Sequence, residues 1–130
     1  MPLTSDRIAE RCRDDGEFRL AARYWNGSLS IDLDGLRLEF VVVEGAISSC
    51  SPVGGPLVAL AAPADVWAKL LAPVPPPRFN DIMPARAFGL RVEGDEETFY
   101  QYYPAIRRLV DILRQETAET EGDSDAATLR

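Results

Sequence analysis

Between residues 17 and 51, apolar and polar side chains alternate with a period of two, and three turn-forming pairs ending in glycine interrupt the alternation. Leu29, Ile31 and Leu33 alternate with Ser28, Ser30 and Asp32; Leu36, Leu38, Phe40 and Val42 alternate with Arg37, Glu39 and Val41. Successive side chains on a strand point to opposite faces, so each run presents one apolar and one wettable face. The breaks are Asn26-Gly27, Asp34-Gly35 and Glu44-Gly45, the last leading into Ala46-Ile47-Ser48. Asn-Gly and Asp-Gly are the strongest short hairpin signals, because both turn residues need positive φ. The segment therefore reads as an antiparallel meander. Its first strand runs from Glu17 to Tyr24 with Phe18, Leu20 and Ala22 inward, and Gly27 and Gly35 sit in tight hairpins at positive φ.

Helical signals flank the meander. Ser5 is the expected N-cap of a first helix with Ile8, Ala9 and Cys12 on its apolar side, and Gly16 is expected to close it. Leu57–Ala61 reads as a short buried strand. Pro63 then suits a helix start, with Val66, Trp67, Leu70 and Leu71 forming one face. Pro73-Val74-Pro75-Pro76-Pro77 cannot continue a helix and reads as a stiff connector. Asn80 is the expected cap of a short helix through Ala87, limited by Pro84, and Gly89 precedes a strand over Leu90–Glu93. Asp95 caps a long helix carrying Phe99, Tyr103, Ile106, Leu109 and Leu113, which Pro104 should kink or split. The fold class predicted is α+β, a mostly antiparallel five-stranded sheet covered by helices. Residues 1–116 form one domain, and 117–130, poor in large apolar groups, an acidic disordered tail.

The 130 residues and 46% hydrophobic content suit one core. No run reaches the roughly 18 apolar residues of a membrane span. The polar N-terminal run has no apolar h-region, so a cytoplasmic location is expected, and the final Thr-Leu-Arg is not a peroxisomal address. Net charge is −7, of which the stretch from Gln115 onward carries five acids against Arg130. No basic patch emerges from the sequence, which argues against nucleic acid and anionic membrane as electrostatic partners. Cys12 and Cys50 are expected to be free and mostly buried. One lysine against thirteen arginines is the usage of a GC-rich, bacterial coding sequence.

The chain contains no histidine, which removes the usual general base, the Ser-His and Cys-His dyads and imidazole metal sites. Two separated cysteines do not make a zinc site, and no phosphate-binding loop is present. Neither a metal nor a cofactor is expected. Asp32 and Asp34 form the one tempting carboxylate pair, read as a solvated hairpin corner, and Ser48-Ser49-Cys50-Ser51 has no base to activate it. What remains is apolar: large side chains from Trp67 through Phe79, Met83, Phe88, Phe99 and Tyr103, carried on short, proline-interrupted helices that can part to leave a cavity. Trp67, Phe99, Tyr103 and Ile106 are the candidate ligand-lining residues, with Phe79, Met83 and Phe88 near the mouth. Phe99 and Tyr103, four residues apart, share one helix face.

Leu57-Val58-Ala59-Leu60 and Ala64-Asp65-Val66-Trp67-Ala68-Lys69-Leu70-Leu71 resemble a strand and the following paired-leucine helix of the sterol carrier protein 2 family. Ala87-Phe88-Gly89-Leu90-Arg91-Val92-Glu93-Gly94-Asp95 resembles that family's later glycine-bounded strand, and Trp25-Asn26-Gly27 agrees in position. The resemblance covers roughly residues 5–115; the proline-rich 73–77 connector and the Pro104 break depart from it. It implies an apolar tunnel between sheet and helices and the binding of sterols, fatty acyl groups or similar lipids. Three readings follow: a carrier of a hydrophobic ligand, an accessory subunit meeting a second copy or a partner enzyme through the same fold, and an enzyme acting on a hydrophobic substrate. The absence of a recognisable catalytic motif favours the first over the last.

Overall fold

A computed structural model describes residues 3–51 and 55–129, with side chains to residue 120. In chain order the elements are α1 (Ser5–Arg13), α2 (Gly16–Ala22), β1 (Gly27–Asp32), β2 (Arg37–Val43), β3 (Ala46–Ser49) and β4 (Leu57–Ala61). There follow α3 (Ala64–Leu70), α4 (Ile82–Ala85), a 3-10 helix (Arg86–Phe88), β5 (Arg91–Gly94), α5 (Glu96–Gln101) and α6 (Tyr103–Leu129). The strands form one sheet in the order β3-β2-β1-β4-β5. All neighbours are antiparallel except β1 and β4, which run parallel. The predicted α+β class and five-stranded, mostly antiparallel sheet are thus present.

The register sorts the sheet into two unlike faces. Leu29 pairs with Phe40 and Val58, and Ile31 with Leu38 and Leu60. These residues join Val42 and Ile47 in the buried core, together with Ile8, Cys12, Phe18, Trp67, Leu70, Ile82, Phe99, Ile106, Leu109 and Leu113 from the helices. The opposite face carries a row of Asp32, Arg37, Ala61 and Arg91 and a row of Ser30, Glu39, Ala59 and Glu93. The core cluster takes no residue from either of these rows.

Four expectations about element ends need correction. The first expected strand, Glu17–Tyr24, is helix α2. Phe18 and Ala22 are buried there while Leu20 is 64% and Tyr24 73% exposed. Positions i and i+4 share a face in both a strand and a helix, so the alternation did not discriminate. Asp15 decides it locally: its carboxylate accepts the Phe18 N–H at 2.8 Å and opens the helix at Gly16, which does not close α1. Thr4, not Ser5, caps α1, accepting from Arg7 N; Ser5 Oγ accepts instead from Glu39 N and ties the helix to β2. Asp81, not Asn80, caps α4. Cys12 is buried as expected, but Cys50 is exposed. Pro104 does divide the last helix, and α5 ends at Gln101 before α6 begins at Tyr103.

Gly27 is also corrected. It joins α2 to β1 and is absent from the positive-φ residues, whereas Gly35 has φ 115° and Gly45 φ 82°. What requires glycine there is room: a Cβ would lie 2.7 Å from the Pro56 carbonyl oxygen and 3.1 Å from Trp25 Nε1. Asn26 serves a bridge rather than a turn, its Oδ1 accepting from Glu44 N at 2.8 Å.

The boundary expected after residue 116 falls inside α6. Thr117 Oγ1 donates to Leu113 O, and Glu116 accepts from Arg7 Nε at 3.2 Å and Arg11 Nη1 at 2.7 Å. Glu119 takes Arg11 Nη1 at 2.9 Å. Composition marked this stretch as acidic and poor in large apolar groups, whereas α1 supplies cations for Glu116 and Glu119. The rest of the expected tail, 121–130, lies outside the residues whose side chains are described.

Two measurements check this account. Gly35 at φ 115° has open space around its missing Cβ, while Gly94 at φ 92° would drive a Cβ into the Leu57 carbonyl oxygen. Gly35→Ala should cost about 1–2 kcal/mol of strain. Gly94→Ala should exceed that by at least about 1 kcal/mol, because the backbone must also shift. Equal costs in chemical denaturation would contradict the β4–β5 register. Asp15 accepts Arg108 Nε at 2.9 Å and Nη2 at 2.8 Å. The Arg108 hydrogen bonds, helped by the Phe18 N–H, hold its carboxyl below the ordinary 3.8. A depressed folded-state pKa adds stability that is present above the unfolded value and lost as pH falls through the folded one. Asp15→Asn should therefore flatten the acid limb of a stability-versus-pH curve, leaving the rest of the curve lower but parallel.

Candidate functional site

The connector after α3 turns sharply, because prolines cannot donate to a helix and hold extended φ. Phe79 N–H donates to Pro76 O at 3.0 Å, and Arg78 takes the left-handed conformation at φ 74°. This turn buries Phe79 and sends it against Phe88, with ring centroids 5.5 Å apart. Asp81 Oδ1 accepts from Ile82 N at 2.7 Å and starts α4; its Oδ2 lies 3.5 Å from Arg107 Nε on α6. Asp95 caps α5 through Thr98 N at 2.9 Å. That helix points Phe99 into the core and leaves Tyr100 outside. Phe99 meets Tyr100 edge-on at 5.3 Å and Tyr103 at 5.8 Å.

The seven expected ligand-lining residues separate into two groups. Phe99 and Ile106 are 0% exposed and Trp67 3%, so they are members of the core. Trp67 is pinned further, its Nε1 donating to Asp32 O at 2.8 Å. Phe79 is buried at the rim of the same layer, Met83 is 37% and Phe88 43% exposed, and Tyr103 is half-buried. Burial and the adjacent Asp81 carboxylate raise the Tyr103 phenol above its ordinary value, so it stays protonated. Arg86, between α4 and Phe88, links the two groups: its guanidinium stands 5.9 Å from the Phe99 ring, and its Nη1 donates to Tyr100 Oη at 3.3 Å. Tyr100, 54% exposed, belongs to this patch although the spacing argument did not select it. Its place next to Phe99 at the start of a proline-broken helix was the available signal.

Two of the surface clefts differ in character. One of about 310 Å³ is lined by Leu33, Trp67, Ala68, Leu71, Pro73 and Thr117, and is largely apolar. A broader one of about 750 Å³ gathers Arg13, Arg19 and Arg23 beside Leu20 and Glu44. The expectation that no basic patch exists therefore fails locally, because the turn between α1 and α2 brings Arg13 alongside two arginines one helical turn apart.

The Asp32 and Asp34 carboxylates have structural roles. Asp32 Oδ1 accepts Asp34 N at 3.0 Å, and Asp34 Oδ2 accepts Ala64 N at 3.0 Å, capping α3 where Pro63 cannot. Burial pushes the Cys12 thiol up to about 12, which keeps it protonated and unreactive. Among the described residues no cluster of acids or cysteines could hold a metal, and no helix is long and apolar enough to cross a membrane.

No protein-family model matches the chain, and no curated protein matches it either. Solved structures do. A crystal structure of sterol carrier protein 2 aligns with a TM-score of 0.62 at 18% identity, covering 82% of this chain and 90% of that one. A conserved hypothetical protein of Thermus thermophilus, named as a candidate sterol carrier protein, aligns with a TM-score of 0.58 at 16% identity, covering 85% of this chain and 84% of its own. The chain therefore has the sterol carrier protein 2 fold, as the resemblance implied.

The burial pattern separates the seven residues in a measurable way. Phe99→Ala should destabilise by about 3–5 kcal/mol and Ile106→Ala by about 2–5 kcal/mol. Met83→Ala and Phe88→Ala, already partly solvated, should cost less than about 1.5 kcal/mol. Urea denaturation of the four variants distinguishes them; a Phe88 cost equal to that of Phe99 would mean that the rim is core.

Proposed function

We propose that this domain binds a hydrophobic, lipid-like ligand in the helical layer over the sheet, and carries it without converting it. The observation that supports this best is the run of aromatic contacts from solvent to core. Phe88 touches Phe79, and the exposed Tyr100 touches the fully buried Phe99, which touches Tyr103. Large apolar groups left wet at Met83, Phe88 and Tyr100 cost free energy unless something covers them. The helices that bear them are four, three and six residues long, so the layer can open without unfolding a long helix. The fold shared with a protein named sterol carrier protein 2 supports a sterol, a fatty acyl group or a similar lipid as the class. No imidazole is available for proton transfer, which supports binding without turnover. Transport of the ligand through the cytoplasm, with no nucleic acid involved, completes the reading.

The same exposed patch supports a second reading, in which Met83, Phe88 and Tyr100 meet another protein, or a second copy, in an accessory subunit of this fold. The two readings part on one experiment. Small molecules extracted from natively purified protein are identified by mass spectrometry, and a fluorescent fatty acid is titrated into the emptied protein. Saturable binding is expected, weakened about tenfold in Met83→Ser and Phe88→Ala, with melts that show both variants folded and lowered by no more than about 10 °C. A protein that yields no small molecule and gives no saturation would remove the carrier reading and leave the accessory one.

A further inference from the structure

The basic residues of this acidic chain divide by what faces them. Arg7, Arg11, Arg91, Arg107, Arg108 and Arg114 lie within 4.0 Å of a carboxylate. Among the described residues, Arg13, Arg19, Arg23, Arg37, Lys69, Arg78 and Arg86 have no such partner; Arg23 faces the Tyr24 ring, and Lys69, Arg78 and Arg86 each face a ring of the aromatic patch. Lys69 Nζ lies 5.0 Å from the Phe79 centroid, Arg78 Cζ 5.6 Å from Phe88 and Arg86 Cζ 5.9 Å from Phe99. The three come from three separate elements, α3, the proline connector and the 3-10 helix, and converge on the rim of the patch described above. Arg78 reaches its ring from the left-handed conformation, which a non-glycine residue holds only where its surroundings enforce it.

A cation over a ring face interacts with the π-cloud and keeps its N–H groups free to turn toward another acceptor. A guanidinium already bound to a carboxylate would first have to give that partner up. The rim therefore offers two guanidinium groups and an ammonium, none engaged by an acid, around an apolar surface in a molecule of net charge −7. We propose that the ligand is an amphiphile with an anionic headgroup. Lys69 and Arg78 hold its head by charge-assisted hydrogen bonds, with Arg86 alongside, and its tail lies against Phe79, Met83 and Phe88. This rests on the aromatic patch being the lipid-binding site. It adds that a neutral lipid of equal length is discriminated against.

The test compares hexadecanoate with hexadecanol, each displacing a neutral fluorescent probe from the full chain below its own aggregation limit. Hexadecanoate should bind at least about tenfold more tightly. Lys69→Gln and Arg78→Gln should each narrow that ratio while leaving hexadecanol affinity unchanged. Arg37→Gln, on the opposite face of the sheet, should leave the ratio intact, which separates local contact from overall charge. Thermal melts show that the variants are folded. Equal affinity for acid and alcohol, or Gln variants that weaken both alike, would overturn the headgroup assignment while leaving the lipid-binding reading standing. Displacement by neither would overturn both.

Discussion

Every helix in this domain depends on one face of one sheet. The rows Leu29–Phe40–Val58 and Ile31–Leu38–Leu60 are set by the pairing of β1 with both neighbours, antiparallel on one side and parallel on the other. Side chains repeat every second residue along a strand, so a slip of one position would turn Leu29 and Ile31 toward the charged face and expose the floor of the core. The helices have no alternative surface, because the other face presents Arg37, Glu39, Arg91 and Glu93. Helices confined to one side must also pack on each other, and α1 and α2 both lie against α6.

Carboxylates carry out much of the positioning that a catalytic reading would assign to chemistry. Asp15, Asp34, Asp81 and Asp95 each accept a backbone N–H at a helix start. Two of them reach further: Asp15 to Arg108 on α6, and Asp81 to Arg107 on the same helix. Asp34 acts across the chain, since a residue of the β1–β2 turn caps the helix that bears Trp67 and Lys69. The elements that carry the aromatic patch are thus anchored by ordinary capping.

Where local signals were unambiguous, the sequence was readable. The Asp34-Gly35 hairpin, the strand over Leu57–Ala61, the Asp95 cap and the break at Pro104 depend on one or two residues with narrow conformational choices. The misreading of Glu17–Tyr24 had a definite cause: Phe18 and Ala22 fit both periods, and the decisive Asp15 lay outside the window being counted. The extent of α6 past Gln115 was hidden for a different reason. Its acids are matched by Arg7 and Arg11, about a hundred positions away, and composition within a window cannot see such a partner. The candidate site could be picked out of the sequence only as a set of large apolar residues. Its division into buried pillars and a wet rim was not, because that depends on how the connector turns at Arg78. The convergence of Lys69, Arg78 and Arg86 over three rings likewise exists only once three elements have met.

The ion pairs between α1 and α6 have a consequence for how the molecule is made. Arg11 meets Glu116 and Glu119, and Asp15 meets Arg108, across separations of 105, 108 and 93 residues. Helices α1 and α2 therefore wait for α6, about a hundred residues later in the chain, before their apolar sides are fully covered. Ile8 and Phe18 remain available to wrong partners until α6 emerges, a period of several seconds or more at ordinary elongation rates. Contacts so far apart in the chain also close late in refolding from denaturant. The sheet with its hairpins can form beforehand, but it cannot be sealed. A nascent chain halted before α6 would be an exposed platform, and the clasp supplied by Arg11 and Asp15 is what closes the domain.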